Sequence, residues 1–185
     1  MKGSRHLVSL PVIALDSGSA VGVIKSVLFN ASRGKAEYLA IETPDWYRGA
    51  VILPFDAVNA IGEDAVTVSD TSVLLSVYTC PDALDMLSQP SELSDADVYT
   101  RLGRYIGRVD EYYLDEKTGM VISCTLKEGA VLGASNFLAF GKHIIIVSER
   151  TQIPDESPET AAAARQPYVP LYKDARAAYA ANNGE

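Results

Sequence analysis

Residues Gly18 to Ile41 read GSAVGVIKSVLFNASRGKAEYLAI, and residues Gly103 to Leu126 read GRYIGRVDEYYLDEKTGMVISCTL. At a constant offset of 85 positions, Gly18, Gly22 and Gly34 coincide with Gly103, Gly107 and Gly119. Val21 likewise meets Ile106, Ile24 meets Val109, Phe29 meets Leu114 and Ile41 meets Leu126. Glycine recurs where a chain turns or where backbones approach closely, and apolar residues recur where side chains enter a core, so the shared pattern is one of shape. Further along, Leu53, Gly62, Val68 and Ser69 coincide with Leu132, Gly141, Val147 and Ser148 at an offset of 79. The two offsets differ by six, the length of Pro44-Asp45-Trp46-Tyr47-Arg48-Gly49, which the first copy has and the second lacks. One insertion reconciles the repeat.

Between the turn sequences Asp16-Ser17-Gly18 and Asn30-Ala31-Ser32-Arg33-Gly34 lie runs rich in Val, Ile, Leu and Tyr, and Asp115-Glu116-Lys117-Thr118-Gly119 punctuates the second copy in the same way. These runs predict strands over Val8 to Leu15, Val21 to Phe29, Lys35 to Glu42, Ala50 to Pro54 and Ala65 to Ser69. Alternation is clean at Leu39 and Ile41 and blurred from Ile24 to Phe29, where a bulge or strong coiling would bring successive residues inside. Short strands at this spacing suit a small closed or nearly closed barrel, which removes exposed sheet edges. The expected fold is therefore mainly β: a first barrel at 1–75, a helical linker at 76–95, a second barrel at 96–150 and a Pro/Ala-rich tail with a short helix at 151–185. A unit of about 60 residues is marginal alone, so the copies are expected to pack together or to be buttressed by linker and tail. In the linker, Pro81 to Leu87 reads as a helix with Pro in its first turn, Asp82 and Asp85 outward, and Leu84 and Leu87 on one face. In the tail, Leu171, Tyr172, Ala175, Ala178 and Tyr179 recur at helical spacing, as in a docking helix.

The 16 Lys and Arg against 24 Asp and Glu give a formal net charge of −8, a field that repels polyphosphate and anionic headgroups and suits a basic or neutral partner. Cys80 and Cys124 are far apart, which excludes a zinc ribbon, argues against a disulfide framework and points to the reduced cytoplasm. Lys2 and Arg5 ahead of Leu7 to Leu15 mimic a signal peptide, but Ser9 and Pro11 interrupt the apolar run and no small-residue cleavage site follows. No stretch approaches the roughly 20 apolar residues of a membrane-spanning helix.

Gly18, Val21-Gly22-Val23-Ile24, the turn at Gly34, Tyr38-Leu39-Ala40-Ile41, Leu53-Pro54, Val58, Ile61-Gly62 and the strand Ala65 to Val68 together resemble the PRC-barrel family. The second copy resembles it less completely, with Leu132-Gly133 where the family tends to have Leu-Pro, and Phe137 and Phe140-Gly141 at the Val and Ile-Gly places. Proteins of that family are similar to the cytoplasmic domain of the reaction-centre H subunit and to the C-terminal domain of the ribosome maturation factor RimM. The resemblance implies a stand-alone tandem PRC-barrel protein, without the membrane helix of the former or the separate N-terminal domain of the latter. The family has no shared catalytic residues to carry over, and its pattern of turns and core positions speaks to fold more than to function.

No Gly-rich phosphate loop, nucleophile elbow or paired metal-ligand motif occurs, so no catalytic residue, metal site or cofactor is expected. Asp110 and Glu111 alternate on a strand and Asp115 and Glu116 open a turn, a spacing that reads as solvated edge instead of an acid/base pair. His6 and His143 have no local partners, Cys124 matches Leu39 and reads as a core residue, and Cys80 stands before Pro81 at a helix start. The inserted segment carries Trp46, Tyr47 and Arg48 consecutively, residue types common at binding hot spots, and either folds over the barrel mouth as a lid or meets a partner. Trp46, Tyr47 and Arg48, with Tyr172 and Tyr179 of the tail helix, are the candidate protein-binding residues. The expected function is a cytoplasmic, non-catalytic adaptor for another protein, with homo-oligomerisation left open. Direct nucleic-acid binding is disfavoured by the lack of a basic stripe with interleaved aromatics. By analogy with the two resembling proteins, the alternatives are an accessory in ribosome maturation or RNA processing, and an accessory subunit of a membrane-associated electron-transfer or envelope complex.

Overall fold

The computed structural model describes residues 1–44, 49–88 and 93–149, and its strands follow the repeat. The chain opens with β1 (Lys2–Gly3) and one helical turn, α1 (Ser4–Leu7). The first copy is β2 (Pro11–Ala14), β3 (Ser19–Asn30), β4 (Lys35–Glu42), β5 (Val51–Pro54), β6 (Val58–Ile61) and β7 (Val66–Val68). A two-residue strand, β8 (Leu75–Ser76), and helix α2 (Pro81–Ser88) lead on. The second copy is β9 (Asp97–Thr100), β10 (Tyr105–Leu114), β11 (Val121–Leu126), β12 (Val131–Gly133), β13 (Phe137–Phe140) and β14 (Ile144–Val147).

Each copy is a curled sheet with the same connectivity. The first runs β6-β7-β2-β3-β4-β5-β8 and the second β12-β11-β10-β9-β14-β13, with β1 also on β10. In both, the first strand pairs antiparallel with the second and parallel with the last, β2 with β7 and β9 with β14. Both also place a 3-10 turn at the same repeat position, Phe55–Ala57 and Ala134–Asn136. The blurred alternation of β3 has its cause in register shifts at Ile24/Ser26 and Leu28/Phe29. The glycine shared at positions 22 and 107 marks a crossing too close for a side chain. A Cβ on Gly22 would stand 2.6 Å from Ile41 Cγ2 and Glu42 O, and one on Gly107, whose φ is 153°, would stand 2.6 Å from Glu128 Oε2 and 3.1 Å from Leu126 Cδ1.

Several predicted elements shift. The strand expected from Val8 begins only at Pro11, because Ser9 turns the chain with a φ of 77°. Val58–Ile61, not placed among the predicted strands, pairs with β7. In α2 the face toward the sheet is Ala83, Met86 and Leu87, while Leu84, expected on it, is exposed. The helix starts at Pro81, so Ala83 lands where it must fit between Leu28, Ala40, Ile52 and Val77, and i+3 and i+4 from there are Met86 and Leu87. The helix covers the outer face of the first copy because that face is apolar. The equivalent positions on the second copy are Tyr113 for Leu28, Thr125 for Ala40 and Ser123 for Tyr38, which water can solvate.

The repeat also reaches further upstream than the 85-residue offset shows. Ser9 and Asp95 are the two non-glycine residues of positive φ among the described residues, at 77° and 66°. Ser9 N donates to Ile24 O at 2.8 Å and Asp95 N to Val109 O at 3.0 Å, while Leu10 O and Ala96 O accept the return bonds from Ile24 N and Val109 N, each at 2.9 Å. Here the offset is 86, because the hairpin from Ala14 to Gly18 has one residue more than that from Thr100 to Gly103.

The two copies meet about a pseudo-twofold axis. Lys35 bridges Met120, its own repeat equivalent, in antiparallel fashion. Ala36 N donates to Gly119 O at 2.9 Å and Val121 N to Gly34 O at 3.1 Å, two bonds that the 85-residue offset interchanges. Around this axis Phe29 packs on Tyr112 and Phe140, with ring centroids 6.4 and 5.5 Å apart. Phe29 and Tyr112 are both buried, so the expected packing of copy on copy is direct and apolar.

Candidate functional site

The carboxylates of the second hairpin serve the architecture. A register shift between Val109 and Glu111 upsets simple alternation, so that Asp110 and Glu111, expected on opposite faces, both reach the N-terminal segment. Arg5 Nη2 lies 2.7 Å from Asp110 Oδ1 and donates to Asp110 O at 2.9 Å, while Arg5 N donates to Glu111 Oε1 at 3.2 Å. Asp115 Oδ1 accepts from Lys117 N, Thr118 N and Thr118 Oγ1, and the bonds from Thr118 hold its carboxyl below the usual range. Glu116 receives the N-terminal ammonium, whose bond lowers its pKa in turn. Asp115 and Glu116 take the turn role that their spacing indicated, whereas Asp110 and Glu111, expected on a solvated edge, lie half-buried on β10, which is paired on both sides, and anchor the start of the chain to the second copy.

His6 lies in a segment held by β1 on β10 and by Leu7, which is fully buried. Its Nε2 is 3.1 Å from Gly62 O. His143 is exposed, and its carbonyl accepts from Asp97 N at 3.0 Å. Cys124 sits in the core, where burial pushes its thiol up to about 12. Cys80 is half-buried, packs against the cluster under α2, and its carbonyl takes the helix bond from Leu84 N. Among the described residues no three of His, Cys, Asp and Glu gather as a metal-binding group. A shallow cleft where the copies meet is lined by Ser4, Arg5, Lys25, Ser26, Ser94 and Tyr112, among others. There Ser4 Oγ is buried without a well-formed hydrogen bond, and burial raises the Tyr112 phenol to about 12.

Trp46, Tyr47 and Arg48 lie outside the described residues, as do Tyr172 and Tyr179. The footing of the inserted segment is described. It joins β4 to β5, where the second copy closes the same hairpin tightly with Gly129 N donating to Leu126 O at 2.8 Å. Gly49, with φ of 110°, sits so close to Tyr78 that a Cβ there would be 3.0 Å from the ring. Tyr78 is 71% exposed. It belongs to the 3-10 turn Val77–Thr79 between β8 and α2, whose Val77 is buried against the sheet, so the turn presents Tyr78 outward at the root of the insertion. The composition of the segment singled out the insertion but gave no sign of Tyr78, which stands in an ordinary linker sequence until β8 pairs with β5 and brings it alongside.

The PRC-barrel domain model matches this chain twice, over residues 1–75 and 88–156. The chain belongs to the PRC-barrel domain family. The tandem organisation of this PRC-barrel protein is thus carried by family pattern, internal repeat and topology alike. PRC-barrel domains are a non-catalytic family. No curated protein matches the chain. Among the described residues no helix is long and apolar enough to cross a membrane.

Proposed function

We propose that this PRC-barrel protein is a non-catalytic adaptor that holds another protein, using the side of the first copy where the insertion and the linker come together. The observation that carries the reading is Tyr78, largely exposed beside Gly49 at the foot of the segment bearing Trp46, Tyr47 and Arg48. Exposed aromatics beside arginine are an association hazard in a monomer and a resource at an interface. The second copy carries no such segment, and its β11–β12 hairpin is complete without it, so the barrel does not require it. With a net charge of −8, the partner is basic or neutral on the surface that docks.

The test is affinity capture with the full chain, identification of the bound protein, and titration of that protein against Trp46→Ala and Tyr78→Ala. Each variant is expected to weaken association by about 2 kcal/mol or more, the hot-spot threshold, with little change in melting temperature. A variant that loses several kcal/mol of stability and keeps its affinity assigns these aromatics to the fold of the chain and refutes the reading. A ribosomal protein or a membrane-complex subunit as the captured partner would decide between the wider processes.

A further inference from the structure

One sheet edge differs between the two copies in a way that names a ligand. In the first copy β5 is paired on both sides, by β4 and by β8, with Val51 opposite Ser76 and Ile52 opposite Leu75. Val77 N then donates to Ala50 O at 3.0 Å, and Val77 and Leu75 pack on the cluster that buries Ile52 completely. In the second copy β12 stands where β5 stands, and among the described residues it pairs with β11 alone. Val131, the equivalent of Ile52, is 67% exposed.

The direction of the free groups follows from the ladder. Ala130 O accepts from Leu126 N at 2.8 Å, so Ala130 turns toward β11, and by alternation the N–H and C=O of Val131 face the open edge. The next outward N–H, that of Gly133, is taken by Asn136 Oδ1 at 3.2 Å. Val131 therefore offers a donor and an acceptor beside an exposed β-branched side chain, with Thr125 next to it in register. The sequence that follows the second copy does not repeat what fills this place in the first. At the offset that equates Ser69 with Ser148, Leu75 and Val77 become Pro154 and Glu156, a residue without an N–H and a residue whose charge opposes burial.

We propose that the β12 edge docks an extended segment of a partner protein by strand addition, antiparallel to β12, with apolar residues two apart in the manner of Leu75 and Val77. This rests on the adaptor reading and supplies a recognition mode for it: backbone bonds to Val131 hold the segment, and its alternate side chains cover Val131 and Thr125. The edge is short, as natural edges are, which keeps free chains from pairing with it indiscriminately.

The experiment uses the full chain and a synthetic peptide with the sequence Thr71 to Thr79, which contains β8, against a scrambled control. Amide resonances of Gly129 to Gly133 are expected to shift saturably, and Val131→Lys, which keeps the N–H but sets a charge under the ligand, is expected to weaken binding at least tenfold. Shifts that are absent at millimolar peptide, or that centre on another surface, overturn the proposal. So does slow exchange of the Val131 amide in the free chain, which would mean that the chain covers its own edge. The adaptor reading is scored separately, by capture with Trp46→Ala and Tyr78→Ala: partner capture that survives Val131→Lys unchanged leaves the adaptor standing and removes the edge.

Discussion

Replacing Gly119 by alanine tests the pseudo-twofold contact most directly. Gly119 has φ of 72°, a left-handed conformation that costs a residue with a Cβ roughly 1–2 kcal/mol. The added Cβ would also stand 2.6 Å from Ala36 O and 3.0 Å from Phe55 Cδ1. The first of these is backbone and cannot swing aside, so the strand must shift, weakening the Ala36 N to Gly119 O bond, worth about 0.5–1.5 kcal/mol. The expected loss is about 2–3 kcal/mol, or roughly 5–10 °C in Tm for a chain of this size. Gly103→Ala is the control: its φ of 82° is as unfavourable, but nothing lies within 4 Å of the new Cβ, so only the conformational part, about 1 kcal/mol, is lost. Gly34→Ala falls between, because its obstacle is the Phe140 ring at 2.9 Å, which can rotate away. Urea unfolding followed by tyrosine fluorescence and far-UV circular dichroism reads all three. Equal losses for Gly119→Ala and Gly103→Ala would refute the close approach, and a separate early transition of the second copy alone would refute the shared core.

The buried Cys124 thiol and Tyr112 phenol, ordinarily at 9.0 and 10.0, are each pushed up to about 12 by burial. The unfolded chain releases these protons first, so their contribution is complete below about pH 9 and declines as pH rises toward 12; denaturant titrations from pH 8 to 11 should show this fall, flattened in Cys124→Val with Tyr112→Phe. A flat profile in the parent chain would contradict the burial of both groups. Thiol labelling of the native chain should modify half-buried Cys80 and spare Cys124 until unfolding, and equal rates would place Cys124 outside the core. Ala83→Leu forces a larger side chain between Leu28, Ala40 and Ile52 and should cost about 1–3 kcal/mol by thermal unfolding, whereas Leu84→Ala on the exposed side should change little.

Glycine and strand periodicity made the barrel pattern legible because they record local backbone demands: the turns at Gly34 and Gly119, the crossings at Gly22 and Gly107, and the core positions Leu39 and Cys124 all fall where their spacing put them. What depends on distant chain was not legible. Lys2 and Gly3 form a strand only because Tyr113 and Leu114 offer an edge, and Arg5 finds Asp110 only once the copies have docked. The upstream repeat was hidden by a one-residue change of turn length and by dissimilar residues at the shared bend, Ser9 and Asp95. For α2, counting apolar residues favoured Leu84 over Ala83, although a tight helix-to-sheet crossing selects the smaller side chain. At the candidate site, Trp46, Tyr47 and Arg48 were conspicuous by composition, while Tyr78 became visible only through the pairing of β8 with β5.

The axis between Lys35 and Met120 has a bearing on how such a chain can vary. In a dimer of identical subunits every substitution at the interface occurs twice, and a residue near the axis must tolerate its own image. Here each half of the contact is encoded separately. Phe55 can crowd Gly119 on one side while Phe140 crowds Gly34 on the other, from positions that the repeat does not equate. A change that would be doubly harmful in a symmetric pair is felt once and can be compensated across the seam. One copy can then keep the shared core in register while the other acquires the insertion or the covering helix.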